Sequence, residues 1–251
     1  MHYVIKEAGH TMVQTMDKFK KENGINKVCY CGRLDPMARG LVLLLAGEEC
    51  KKMPEYLGHS KEYEFEILFG ISTDTDDPLG IIENIHNIDP KGHINNYEET
   101  DVNIYFDKIK EYIKIGKFEQ FFHSFSSKRI NNQPMWQQPQ INLDIKPHHI
   151  VEIYNVEYKS IKKYDFLEWK THIIDTINKI DKKNNFRQVE IIDNYNNIGC
   201  KFDKLYSIPI KINVSTGFYI RQLVCDIKNY FGINILTYYI NRTNIYYKYI
   251  N

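Results

Sequence analysis

Three features of the 251-residue sequence predict an α+β fold with a mixed, mostly antiparallel sheet flanked by helices and loops. Segments with apolar residues at alternate positions, the pattern of a half-buried strand, recur along the chain. Between them lie segments whose apolar residues repeat at helical spacing. No internal repeat and no Pro-, Gly- or Ser-rich linker divides the sequence. Residues 1–251 therefore read as a single domain, and 43% hydrophobic content is enough for a sizeable core.

Val4 and Ile5 open the chain as a short apolar strand. Gly9 then precedes a helix in which Met12, Val13, Met16 and Phe19 share a face, with Thr11 as its cap and Gly24 as its stop. After the stretch CGRLDPMARGLVLLLAG, residues 31–47, the segment CKKMPEYLG reads as a short helix or turn. KEYEFEILFG sets Tyr63, Phe65 and Ile67 on one strand face; STDTDDPLG is a polar loop, and IIENI is a strand. DVNIYFDKIKEYIKIG predicts an amphipathic helix buried through Ile104, Ile109, Tyr112 and Ile113. From about 120 to 149 the mixture of aromatic, basic and amide residues with Pro134, Pro139 and Pro147 predicts a long exposed loop. VEIYNVEY is a strand. Residues from about 160 to 205 read as a peripheral helix, carrying Ile173, Ile174, Ile177 and Ile180, with an adjoining strand or loop. The C-terminal part predicts a strand, a tight Ser-Thr-Gly turn, a helix from about Ile220 stopped by Gly232, a further helix and a last strand.

Composition excludes some functions. Lys and Arg number 33 against 32 Asp and Glu, so a nucleic-acid site has to come from local clustering. The start MHYVIKEAGHTM has no apolar core after a basic segment, and no run of 18 apolar residues occurs. An intracellular, soluble protein without membrane contact is expected, cytoplasmic by default, with nuclear or organellar sites open. Cys29, Cys31, Cys50, Cys200 and Cys225 are odd in number and lack paired C-x-x-C spacing. Reduced thiols are expected, with neither a disulfide framework nor a metal site.

Asp35 is the first candidate for chemistry. Pro36 biases Asp35 away from helical backbone, so the carboxylate stands on a rigid extended corner ahead of a buried run. Gly32 and Gly40 allow close backbone approach on both sides. Such an acid suits catalysis or substrate anchoring; capping of the turn at Met37 and Ala38 is the structural alternative.

The string Gly32, Leu34, Asp35, Pro36, Ala38, Gly40 resembles the central motif of the TruB family of tRNA pseudouridine synthases. Further blocks follow in register: KEAGHTM from Lys6, the Lys61-x-Tyr63 element, TDTDDPLG with Asp77 as its last acid, STGFYIRQL with Tyr219 and Arg221, and YINRTNI with Ile240 and Arg242. The resemblance implies a pseudouridine synthase-like fold and a cofactor-free isomerisation of uridine in RNA. It makes Asp35 the catalytic aspartate, acting either on C1′ of the ribose or on its 2′ proton. Arg221 is implied to pair with Asp35, and Asp77 to hold Arg221 from behind. Tyr30, Tyr63, Tyr219 and Ile240 are implied to line the substrate pocket, Tyr63 stacking on a flipped base, and Lys6 and Arg242 to support it. The 120–149 loop resembles an RNA-clamping insertion, with Phe125, Ser126, Arg129, Asn131 and Trp136 on its pattern and Lys128 and Arg129 facing phosphates.

Departures fall where substrate is held. Tyr30 stands where the family has histidine, Phe125 where it has tyrosine, His123 and Ser124 where it has prolines, and Glu7 where it has proline. The sequence also stops nine residues after Arg242, and a catalytic domain without the C-terminal PUA domain of many members is expected. The implied substrate is the T-stem-loop of tRNA, taken by a monomer. The same chemistry on mRNA or another T-loop-like RNA, and a non-catalytic RNA-binding or chaperone role on the same fold, are the alternatives.

Overall fold

A computed structural model describes residues 1–85, 87–88, 94–95, 97–126, 128–130, 132–137, 147–183, 185–198 and 203–246. Asn131, Cys200 and parts of the 120–149 loop and the 160–205 insertion lie outside these ranges. The chain runs β1 (His2–Lys6), α1 (Met12–Asn23), β2 (Val28–Cys31), β3 (Arg39–Ala46), a 3₁₀ segment (Gly47–Tyr56) and β4 (Ser60–Phe69). There follow α2 (Glu99–Tyr112), β5 (Gly116–Phe121), β6 (His148–Tyr158), β7 (Lys162–Asp165), α3 (Phe166–Asn178), α4 (Gln188–Asn197), β8 (Lys204–Val214), α5 (Ile220–Phe231) and β9 (Ile235–Tyr246). One sheet has the order β1-β3-β9-β4-β8-β6-β5, with β2 added to β3 and β7 to β8. Within it β9 and β3 run parallel; the other neighbours are antiparallel.

Local chemistry accounts for the helix ends. Thr11 Oγ1 accepts from Gln14 N and Gln14 Oε1 accepts from Thr11 N, a reciprocal cap on α1. Gly24 closes α1 in the left-handed region at φ 66°. Asp165 accepts from Leu167 N and Glu168 N at the start of α3. Tyr63, Phe65 and Ile67 enter the main core together, as their alternation predicts, against Ile208, Ile210 and Ile212 of β8 and Val224 and Ile227 of α5.

Four expectations need correction. Gly232 is followed by a single strand, not a helix, because Ile235, Leu236 and Thr237 pair with Phe69, Leu68 and Ile67 and are buried in the sheet centre. In α2, Val102 and Ile109 are buried while Ile104 faces solvent; in α1, Val13 is likewise exposed. The root of the 120–149 loop is ordered and partly buried: Gln120, the last residue but one of β5, is 0% exposed, and His123 and Ser126 follow at 2% and 3%. Finally, the insertion holds two helices and a strand, and Phe166, Trp169, Ile173, Ile177, Ile191 and Tyr195 build a second core with Leu68, Ile71, Leu79 and Leu236. Each such side chain contributes about 1.5–3 kcal/mol of burial, so this unit is part of the domain and not an appendage.

Gly40 marks a close backbone crossing. It lies opposite Arg242 in the parallel pair, at φ 124°, and a Cβ there would sit 2.4 Å from both the N and the O of Arg242. Gly40→Ala is expected to lose about 3 kcal/mol or more of unfolding free energy in urea. Gly58→Ala, with nothing within 4 Å, should shift the midpoint by less than about 0.5 kcal/mol.

Candidate active site

Asp35 follows β2 and precedes the turn into β3. That turn is fastened by two buried cations. Lys6 Nζ donates to the carbonyls of Ala38 at 2.6 Å and of Pro36 and Glu7 at 3.2 Å. Arg242 donates from Nε to Leu41 O at 2.7 Å, from Nη2 to Gly32 O at 3.1 Å and from Nη1 to Arg33 O at 3.3 Å. Both side chains are fully buried, so the charges brace the backbone on either side of Asp35. Burial pushes the Lys6 amine down to about 7, against an opposing pull from Asp35.

Arg221, in the first turn of α5, supplies the partner. Its Nε donates to Asp35 Oδ2 at 2.9 Å and lies 3.6 Å from Asp77 Oδ2. Nη1 donates to Thr75 O at 3.2 Å and Nη2 to Phe125 O at 3.3 Å. Asp77 is itself fixed, its Oδ1 accepting from Thr75 Oγ1 and Leu79 N, each at 2.9 Å. The side chains of Arg221 and Asp77 are 7% and 6% exposed, whereas Asp35 keeps 35%. One carboxylate of the pair is thus reachable from solvent and the other is not.

Electrostatics separates the two acids. Desolvation raises the Asp35 carboxyl, but Arg221 above all, then Arg33, reverse this and hold it below its usual range. Asp77 is pushed up to about 6 by burial, which Arg221 offsets only in part and the neighbouring Asp35 reinforces. The Asp35 carboxylate bonds to Arg221 while its backbone O accepts from Ala38 N; the capping alternative for this side chain is not the one the fold uses.

Around this pair the sequence-predicted residues separate into groups. Tyr219 precedes α5, its amide and carbonyl clamped by the Gln120 carboxamide at 2.9 and 3.0 Å. Burial first, then Asp35, with a smaller push from Tyr63, hold the Tyr219 phenol above its ordinary value. Tyr63 is buried on β4, opposite Arg242. Tyr30 is half-buried on β2 against the edge of the main core, and Ile240 packs on the same core from β9. In the clamp loop, Phe125 gives its carbonyl to Arg221, Lys128 lies over the Phe122 ring at 4.6 Å, Arg129 donates to Asn132 O, and Trp136 is 47% exposed.

Sequence reasoning missed a second buried network next to the first. Asp76, in the left-handed region at φ 56°, accepts from His123 Nε2 at 3.1 Å and pairs with Lys228. His123 Nδ1 accepts from Phe125 N at 3.1 Å, so the ring is neutral with its proton on Nε2. Burial and Arg221 keep it less basic than an ordinary histidine. The signal was there in part: Asp76 adjoins Asp77, and His123 was visible only as a replaced proline. Gln120 and Lys228 carry no local pattern.

Among the described residues, no group of three or more His, Cys, Asp or Glu side chains is arranged to hold a metal ion, and no helix is long and apolar enough to cross a membrane. Residues 20–175 match the family described as TruB family pseudouridylate synthase (N terminal domain). A tRNA pseudouridine synthase B of Borreliella burgdorferi (strain ZS7) is 31% identical over 164 residues, 64% of this chain and 52% of that protein. One from Malacoplasma penetrans (strain HF-2) is 26% identical over 215 residues, 85% of this chain and 71% of that protein. The chain spans about half the length of the first curated relatives it matches. Among solved structures, a Cbf5-Nop10-Gar1 complex aligns over 96% of this chain and 47% of that one, with a TM-score of 0.53 at 14% identity, a likeness of fold. With a match covering residues 20–175 added to the motif blocks from Lys6 to Arg242, the chain belongs to the TruB family of pseudouridylate synthases.

Proposed function

We propose that this protein is an RNA pseudouridine synthase that isomerises the T-loop uridine of tRNA, working as a monomer with Asp35 as its catalytic carboxylate. The observation that carries this reading is the half-open Asp35 side chain, kept ionised by a buried Arg221 whose Nη1 and Nη2 each donate to a backbone carbonyl of the protein. The relatives named as tRNA pseudouridine synthase B support tRNA as the substrate.

The isomerisation begins and ends with the same atoms. The C1′–N1 bond of the uridine breaks, the uracil turns, a C1′–C5 bond forms, and the C5 proton leaves while N1 regains one. Asp35 starts the sequence as an anion, by attack on C1′ or by removal of the 2′ proton. A flipped uridine loses its stacking in the RNA, and Tyr63 and Tyr219 offer aromatic surface near Asp35 to replace it. Lys128, Arg129 and Trp136 on the clamp loop are the groups to meet phosphates and bases.

The direct test is pseudouridine formation in an unmodified T-stem-loop hairpin. The wild type is expected to turn over, and Asp35→Asn to fall by at least about 10³-fold while hairpin binding stays within about threefold. A wild type that binds the hairpin without converting it would transfer the assignment to RNA binding or to another RNA.

Asp77 adds a pH dependence. As pH rises through about 6 the buried acid ionises, and Arg221 then faces two carboxylates. The kcat profile should climb between pH 5 and 7, whereas Asp77→Asn should flatten that limb and lower kcat by about 10–100-fold through a misplaced Arg221. The stability sign runs the other way. Because the folded value of Asp77 lies above its ordinary 3.8, the folded state holds its proton more tightly, and this group's contribution declines from pH 4 to 7. Urea melts should show the wild type losing more stability over that interval than Asp77→Asn.

A further inference from the structure

Phe125 stands where three parts of the chain meet, and each holds a different portion of it. Its amide donates to His123 Nδ1 at 3.1 Å, its carbonyl accepts from Arg221 Nη2 at 3.3 Å, and its ring centre lies 5.5 Å from the guanidinium carbon of Arg187. His123 belongs to the root of the clamp loop, Arg221 to α5, and Arg187 to the insertion, at the entry to α4. A residue fastened at amide, carbonyl and side chain keeps little conformational freedom.

Two of these holders are themselves held. Asp76 accepts from His123 Nε2 at 3.1 Å and pairs with Lys228, and its backbone carbonyl accepts from Thr237 N at 2.9 Å, which ties the acid to β9. With the imidazole proton engaged on Nε2 by Asp76, Nδ1 is left as an acceptor for the Phe125 amide. Arg187 donates from Nη1 to Asp74 Oδ2 at 2.6 Å, and Asp74 Oδ1 accepts from Ile81 N at 2.9 Å. Asp76 and Arg187 both adopt left-handed backbone, at φ 56° and 60°. Strain of this kind in residues other than glycine persists where neighbours enforce it, and it collects around functional groups.

The consequence falls on Arg221. Its guanidinium is planar, so a shift of the Phe125 carbonyl at Nη2 turns the whole group and moves Nε relative to Asp35. We propose that His123 and Arg187 are positioning residues for the isomerisation: they set Phe125 and, through its carbonyl, the angle at which Arg221 meets Asp35. The 160–205 insertion thereby acts on the rate of the reaction and not on the grip on RNA. The assignment rests on the catalytic reading of Asp35 above, and its test separates the two.

Two substitutions divide the two bonds of the imidazole. His123→Asn keeps an acceptor near the place of Nδ1 for the amide two residues on and gives up Asp76; His123→Gln keeps the reach to Asp76 and leaves the Phe125 amide without its acceptor. Turnover of the unmodified T-stem-loop hairpin would be measured per folded molecule, with the folded fraction taken from urea melts. His123→Gln is expected to lower kcat about 10–50-fold with KM within about twofold, and His123→Asn to stay within about threefold of the wild type. Stability should rank them the other way, because His123→Asn loses a bond to a carboxylate and His123→Gln a bond to an amide. Arg187→Ala should lower kcat about 5–10-fold, but less than about twofold in a Phe125→Leu background, where the ring it covers is already gone. Unchanged kcat, a rise in KM in its place, or losses in kcat that follow stability would overturn the positioning role, while wild-type turnover leaves the catalytic reading standing. If the wild type forms no pseudouridine, that reading fails and the placement of Arg221 is read from the Asp35 carboxyl, identified in ¹³C spectra by its absence from Asp35→Asn. This group titrates against Arg221 and Arg33, with Lys6, Asp77, His123 and Tyr219 around it. A midpoint that moves to higher pH in His123→Gln and Arg187→Ala but not in His123→Asn supports the positioning, and one midpoint common to all of them overturns it.

Discussion

A guanidinium buried to 7% exposure has to find compensation for its charge and its donors inside the protein, and Arg221 does so by gathering three distant segments. The turn after β2 brings Asp35, the polar loop after β4 brings Asp77 and the Thr75 carbonyl, and the root of the clamp loop brings the Phe125 carbonyl. An unpaired charge at this depth would be strongly unfavourable. Folding α5 against the sheet therefore also assembles the site. The two acids then share unequal burdens. Asp77, the deeper, absorbs the desolvation and sits near 6, while Asp35, the shallower, stays anionic and open. Two carboxylates around one arginine are driven apart in basicity because Arg221 and Arg33 outweigh desolvation at Asp35, whereas at Asp77 Arg221 offsets it only in part.

The backbone carrying Asp35 is held by a different device. Lys6 and Arg242 are fully buried, and each spends its hydrogen bonds on carbonyl oxygens of the 32–41 stretch or its neighbour Glu7. Fastening peptide carbonyls fixes a path through space without blocking the side chain between them. Gly40 permits the arrangement, since any Cβ there would collide with the Arg242 backbone. The resulting rigidity holds the Asp35 carboxylate in a set position beside Arg221.

Much of this was legible in the sequence because it is periodic or local. Alternation marked β4, helical spacing marked α1 and α3, Thr11 and Gly24 marked the ends of α1, and the ordered motif blocks located Asp35, Asp77 and Arg221. The misreadings share one cause. After Gly232 the segment INILTYYI has no decisive period, and its conversion to strand depends on an empty place in the sheet between β3 and β4, which is information of tertiary order. The same applies to Ile104 and Val13, whose spacing fits a helix face but not the face the sheet covers. His123, Gln120 and Lys228 were unreadable because their partners lie far away in sequence, Asp76, Tyr219 and again Asp76 respectively.

The insertion shows how extra chain can be absorbed by a site without touching its chemistry. Arg187 donates to Asp74 at 2.6 Å, the Tyr195 hydroxyl donates to Pro78 O at 3.2 Å, and Asn194 accepts from Ile82 N at 3.0 Å. These bonds bracket Asp76 and Asp77 on both sides, so α4 and the segment leading into it hold the loop on which the two buried acids stand. From the other flank, Gln14 of α1 donates to Lys179 O, and Gly9 leaves space for Thr176 that a side chain would fill. The departures from the family pattern at Tyr30, Phe125 and His123 lie at surfaces and loop roots, whereas every group bonded to Arg221 is backbone or one of the two motif acids. Arg221 and its two acids are thus framed by main-chain carbonyls and, through the loop that carries Asp77, by the helical unit of the insertion.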